Sequence, residues 1–151
     1  MSIKRKILFN PGPATTTDTV KMAQVVPDIC PREKEFVELM AGIRKDLLKI
    51  VNGINEKYTT VLLCGSGTAV MESVIASAVS KEKTLLILIN GAYGHRMKAI
   101  AESYSLSIKT LEYEYGQSIN FDQVNNFIKM NLDIGYIAMV HHETTTGILN
   151  S

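Results

Sequence analysis

Tyr58-Thr59-Thr60-Val61-Leu62-Leu63-Cys64-Gly65-Ser66-Gly67-Thr68-Ala69 runs from apolar residues into small ones and then into a helical pattern. The apolar part predicts a strand over 59–64, with Cys64 as a small buried hydrophobe. Val70, Met71, Val74, Ile75, Ala78 and Val79 then recur at helical spacing and predict a helix over 68–80. Between them lies a turn whose small side chains let backbone approach an anion. The free N–H groups of a first helical turn would face that anion, and the helix dipole favours negative charge there. Ser66 and Thr68 add hydroxyl donors.

The turn lacks the Gly-Lys-Ser/Thr ending of a nucleotide P-loop. It also fails the dinucleotide fingerprint, because Val70 stands where the third glycine belongs. A phosphate cradle and a tight turn that binds nothing both suit these residues.

Beyond this turn, strand and helix alternate. Strands are predicted near 84–90, 107–113 and 135–140, and helices near 94–105 and 121–131, the last opened by Asn120 or Phe121-Asp122. Thr84-Leu85-Leu86-Ile87-Leu88-Ile89 is apolar on both faces, as a central parallel strand is. Crossovers of this length give right-handed βαβ units. The fold class is therefore α/β, a mostly parallel sheet with flanking helices. Ligands of such sheets sit beyond the carboxyl ends of the strands. There the sequence places Gly65-Ser66-Gly67-Thr68, Asn90-Gly91-Ala92-Tyr93-Gly94 and His141-His142-Glu143-Thr144-Thr145-Thr146-Gly147. Three polar, glycine-bearing loops at one sheet edge point to a small-molecule site.

Before Tyr58 the pattern differs. Residues 1–31 read as an arm, because Asn10-Pro11-Gly12-Pro13, Pro27 and Pro31 interrupt regular structure. Within it, Thr17 or Asp18 caps a short helix to about Gln24. A long helix is predicted over 32–51, with Phe36, Leu39, Met40, Ile43, Leu47, Ile50 and Val51 at helical spacing and Gly53 ending it. With 151 residues, 46% of them hydrophobic, the chain can build a real core. A net charge of +1 implies no nucleic-acid partner. The opening residues carry no apolar signal segment, and no apolar run is long enough to span a membrane. A cytoplasmic protein is expected. Cys30 and Cys64 suggest no disulfide framework. His141, His142 and Glu143 are adjacent on one loop, and adjacent histidines rarely face one ion, so no metal is expected.

Phe9-Asn10-Pro11-Gly12-Pro13, Gly65-Ser66-Gly67-Thr68, Asn90-Gly91-Ala92-Tyr93-Gly94 and His142-Glu143-Thr144-Thr145-Thr146-Gly147 occur in the order and near the spacing found in class V aminotransferases. Over 3–150 the chain resembles the first part of such an enzyme, most closely the phosphonate branch. The resemblance implies the fold-type I large domain, pyridoxal 5'-phosphate as cofactor, and a homodimer with active sites at the subunit interface. It implies that residues 32–151 form a partial cofactor-binding domain, cut off after the fourth predicted strand. Ser66, Gly67 and Thr68 would hold the cofactor phosphate. Tyr93 would stack on the pyridine ring, although a loop aromatic packed on the next helix is the competing reading. Thr144 would contact cofactor or substrate near the ring hydroxyl, against the alternative of a turn-stabilising threonine. Gly12 and Pro13 would line the substrate end through backbone groups. Arg96 and Arg32 could each meet an anionic substrate or stand as surface charges. His142 departs from the small residue frequent in the family.

The implied chemistry is transfer of an amino group between 2-aminoethylphosphonate and pyruvate, giving phosphonoacetaldehyde and alanine. A serine or alanine–glyoxylate enzyme is the alternative within the family, and a non-catalytic anion-binding module the alternative outside it. The family's cofactor-linking lysine and its aspartate against the pyridine nitrogen have no counterpart in the expected context here. No catalytic residue is therefore assigned, and the chain alone is expected to be inactive.

Overall fold

The computed structural model describes residues 6–53 and 56–151. By compactness the chain divides into two units, Met1–Leu62 and Leu63–Ser151.

The second unit holds the sheet. Its elements are α3 (Gly67–Ala78), β1 (Thr84–Ile89), α4 (Ala92–Ser103), β2 (Ile108–Glu112), α5 (Phe121–Met130), β3 (Ile134–Met139), β4 (His142–Glu143) and β5 (Ile148–Leu149). Three parallel strands lie in the order β2-β1-β3, with Leu85 opposite Ile108 on one side and Tyr136 on the other. All six residues of β1 are buried. Side chains alternate across a strand, so β1 feeds two cores. Leu85, Ile87 and Ile89 pack with Ile75 of α3 and with Met97 and Ala101 of α4. Leu86 and Leu88 pack with Ile119 and with Val124 of α5. Each such aliphatic side chain contributes about 1.5–3 kcal/mol on full burial. This two-sided core is why an unbroken apolar run, rather than an alternating one, occupies the central strand.

The ends of these elements follow local chemistry. Asn120 caps α5, its side chain accepting from the Gln123 N–H at 3.0 Å. At the opposite edge from the loops, Lys109 donates to Asp133 at 2.7 Å and the Thr84 hydroxyl donates to it at 2.7 Å. These bonds tie all three strands together. The Lys109 ammonium, and then the Thr84 hydroxyl, hold the Asp133 carboxyl down at about 2.

The first unit contains α1 (Asp18–Met22) and α2 (Lys34–Ile50). Thr17 caps α1, accepting from the Val20 N–H at 3.4 Å. Leu48 is buried on α2, while Leu39 and Ile43 keep substantial exposure. Asn52, with φ of 52°, takes the left-handed position past α2, whereas Gly53 was expected to end the helix there. The Gly53 N–H instead bonds back to the Leu48 carbonyl at 2.8 Å.

Three expectations need correction. Residues 59–64 are extended but enter no strand ladder among the described residues. An apolar run satisfies the strand pattern, yet a strand also needs a hydrogen-bonded neighbour. Thr59 and Thr60 are held instead by Arg44, which donates to the Thr60 carbonyl at 2.8 Å and the Thr59 hydroxyl at 2.6 Å. Accordingly Val61 is 74% exposed, and Cys64 is exposed rather than buried. The sheet therefore has three strands, and the strand predicted as its fourth, near 135–140, is β3. The residues after it are not an open loop: β4 and β5 pair antiparallel, His142 opposite Leu149. Gly147 closes that ribbon with φ of 76°, a conformation costly to other residues.

Candidate functional site

The parallel order of β1 and β3 sends the segments that follow them to one edge of the sheet. Two helices also begin there, and their N-termini differ. At α4 the first-turn N–H groups are satisfied. Glu143 is fully buried, and its Oε2 accepts from the Tyr93 N–H at 3.1 Å and the Gly94 N–H at 3.2 Å. Its Oε1 accepts from the Thr145 hydroxyl at 2.6 Å, and Thr145 Oγ1 in turn accepts from the Ala92 N–H at 3.2 Å. A carboxylate is the natural partner of a helix N-terminus, where dipole and free N–H groups coincide. Gly91 exists for this contact: a Cβ there would run into Glu143 Cγ and Cδ. Gly94 is the matching close approach on the sheet side, where a Cβ would lie 3.0 Å from Ile89 Cα.

At α3 the N-terminus is open. Ser66 is its N-cap residue with extended backbone, yet its side chain makes no capping bond. The Ala69 and Val70 N–H groups bond to the Ser66 carbonyl at 3.0 and 3.3 Å. The Gly67 and Thr68 N–H groups take no acceptor among the described residues. A Cβ at Gly67 would meet nothing within 4 Å, so no other part of the chain crowds this helix start at that position. Of two helix N-termini at this edge, one is filled by a carboxylate and the other is available. A phosphate group fits the second: two backbone donors, the Ser66 and Thr68 hydroxyls and room for the oxygens.

The first and second loops meet. Arg96 donates to the Thr68 hydroxyl at 3.1 Å, and its guanidinium carbon lies 4.9 Å from the centre of the Tyr93 ring. The second and third meet through Glu143. Asn90 and Asn150, both buried, exchange amide hydrogen bonds of 2.9 and 3.2 Å and so fix the base of β5 against the end of β1. Ser66, Gly67, Thr68 and Tyr93 thus share one neighbourhood, and Thr144 sits between Glu143 and Thr145 on the adjoining turn. Thr144 is half-buried, and its hydroxyl enters no hydrogen bond among the described residues. Gly12 and Pro13, joined by a cis peptide, lie in the other unit.

Of two residues that organise this edge, Glu143 carried no role from sequence and Arg96 only an open choice between anionic-substrate contact and surface charge. Glu143 read as one member of a His-His-Glu run. Its signal was indirect: Gly91 has no side chain to accept from the first turn of α4, so an acceptor had to come from elsewhere. Arg96 had a clearer signal, standing three residues after Tyr93 and hence on the same helix face.

No protein-family model matches the chain. The chain is 41% identical over 98% of its length to a 2-aminoethylphosphonate–pyruvate transaminase of Bacteroides fragilis, and spans 41% of that protein. It is 37% identical over 95% of its length to the enzyme of the same description from Phocaeicola vulgatus, spanning 40% of it. A bifunctional phosphonoacetaldehyde hydrolase/aminoethylphosphonate transaminase of Clostridioides difficile is 40% identical over 95% of this chain, which spans 22% of that protein. The chain thus spans about two fifths of the length of the curated transaminases it matches first. Among solved structures, an alanine–glyoxylate aminotransferase from Nostoc sp. superposes on the whole chain with a TM-score of 0.87 at 26% identity, 39% of that structure being covered. A ureidoglycine–glyoxylate aminotransferase from Bacillus subtilis does so with a TM-score of 0.85 at 27% identity, with 38% covered. The chain has the fold of part of these aminotransferases.

Proposed function

We propose that this homologue of the class V aminotransferases is the amino-terminal part of a pyridoxal-phosphate-dependent enzyme that transfers an amino group between 2-aminoethylphosphonate and pyruvate. In that reading residues 1–31 are an arm and 32–151 a partial cofactor-binding domain. The observation that carries it is the open N-terminus of α3, set beside Tyr93 in a chain 41% identical to such a transaminase. The alanine–glyoxylate alternative rests on fold likeness at 26% identity, and the higher identity favours the phosphonate substrate.

Each residue has a physical task. The Gly67 and Thr68 N–H groups and the Ser66 and Thr68 hydroxyls bind the cofactor phosphate. Tyr93 lays its ring on the pyridine face and excludes water from it. Thr144 offers an uncommitted hydroxyl near the ring oxygen. Glu143 keeps the turn carrying Thr144 fixed to the helix start carrying Tyr93. By the family resemblance alone, Gly12 and Pro13 are assigned to the substrate end through their backbone groups. When bound, pyridoxal phosphate supplies the electron sink for transamination. The cofactor-linking lysine and the aspartate at the pyridine nitrogen belong to the part of such enzymes that this chain does not span. The active protein is a cytoplasmic homodimer.

The reading is tested by titrating the ¹⁵N-labelled chain with pyridoxal phosphate and with pyridoxal. Saturable shifts at the Gly67 and Thr68 amides with pyridoxal phosphate, and none with pyridoxal, are expected. Equal shifts with both, or none with either, would overturn it.

A further inference from the structure

Arg96 is exposed, and taken alone it is a surface charge. Its partners say otherwise. It follows Tyr93 by three residues on α4, so the two side chains share a face. Its guanidinium lies 4.9 Å from the Tyr93 ring centre, within the range of a cation–π contact. The same guanidinium reaches across to α3 and donates to Thr68 Oγ1 at 3.1 Å.

That arrangement has a directional consequence. Arginine has donors only, so Thr68 Oγ1 must be the acceptor of this bond. Its own hydroxyl hydrogen is then released to point at a second acceptor. The Gly67 and Thr68 N–H groups already need one. The positive charge also stands one hydroxyl away from the start of α3, where a Cβ on Gly67 would meet nothing within 4 Å.

We propose that Arg96 is a positioning residue for the phosphate site: it turns the Thr68 hydroxyl into a donor toward the bound phosphate and holds the Tyr93 ring flat beside it. Arg96 acts through Thr68 and Tyr93 and touches no phosphate oxygen itself. The inference rests on the reading of the α3 start as the site for the cofactor phosphate. It goes beyond that reading by making affinity depend on a side chain outside the cradle.

The test is calorimetric titration of the chain with pyridoxal phosphate, using Arg96→Met, Arg96→Lys, Thr68→Val and the double variant Arg96→Met/Thr68→Val. Arg96 is exposed, so folding should survive, and circular dichroism checks it. Arg96→Met should weaken binding about tenfold, the scale of one charge-assisted hydrogen bond with a cation–π contact. Arg96→Lys should recover only part of the loss, because a lysine restores charge without the planar stack. The decisive readout is coupling. If Arg96 works through the Thr68 hydroxyl, the double variant should bind more tightly than the summed losses of the two single variants predict, any loss beyond the weaker single variant being the part carried by Tyr93. Additive losses, or unchanged affinity in Arg96→Met, would overturn the inference while leaving the cradle intact. Absence of binding by the unmodified chain would overturn the cradle itself, and the inference with it.

Discussion

Replacing Glu143 with alanine removes the buried carboxylate that, with the Thr145 hydroxyl, joins the third loop to the start of α4. The carboxylate is fully buried and accepts three hydrogen bonds, from the Tyr93 and Gly94 N–H groups and the Thr145 hydroxyl. Alanine leaves two helix-start donors without an acceptor. An orphaned buried donor costs roughly 1–3 kcal/mol, and the lost charge–dipole attraction adds about 0.3–1 kcal/mol. Water entering the vacated space offsets part of this, so a net loss of about 3 kcal/mol is expected. For a chain of this size each kcal/mol moves the melting temperature by about 2–4 °C. Glu143→Ala should therefore melt about 6–12 °C lower and unfold at lower urea. Glu143→Gln keeps an acceptor oxygen for the two N–H groups and loses only the charge, so it should cost about 1 kcal/mol. Urea titrations followed by far-ultraviolet circular dichroism measure both. Equal stability of the alanine and parent chains, or a glutamine variant as weak as the alanine one, would refute the reasoning.

Other outcomes follow from the same geometry. Tyr93→Ala should loosen pyridoxal phosphate, whereas Tyr93→Phe should retain most of the affinity; equal losses in a titration would favour the ring as mere packing. Asp133 titrates at about 2 in the folded chain against 3.8 ordinarily, so it supplies stability above pH 4 that is lost as pH falls from about 4 toward 2. Asp133→Asn should flatten that acid limb in a stability–pH series, and an unchanged limb would assign the acid sensitivity elsewhere. The 151-residue chain mixed with pyridoxal phosphate, 2-aminoethylphosphonate and pyruvate should yield no alanine. Turnover abolished by changing a single lysine within the chain would require another mechanism.

Much of the fold was legible because it is written in local patterns. Thr84–Ile89 is apolar at every position after the threonine, which only a strand covered on both faces tolerates. Asn120 and Thr17 announce helix starts by their chemistry, and both side chains make the expected bonds. The strand over 59–64 failed for a different reason. Its pattern is apolar, but pairing depends on a neighbouring strand, and pattern carries no information about neighbours. The site divides the same way. Ser66, Gly67 and Thr68 are contiguous and so were visible together. Glu143 lies 50 residues from Tyr93 in sequence and meets it only through the fold. The run of histidines before it drew attention to metal chemistry, while its two oxygens are committed to backbone and hydroxyl donors.

The claim that the start of α3 holds a phosphate group is tested most directly at Gly67. A Cβ there meets nothing within 4 Å, and Gly67 is not among the glycines with positive φ, so Gly67→Leu can fold without strain. Its side chain would occupy the space over the Gly67 and Thr68 N–H groups. The measurement is the affinity of the parent chain and of Gly67→Leu for pyridoxal phosphate, by calorimetric titration, with melting curves alongside. The expected result is unchanged melting with binding lost or weakened at least tenfold. Binding of equal strength in a folded Gly67→Leu chain would contradict the phosphate site.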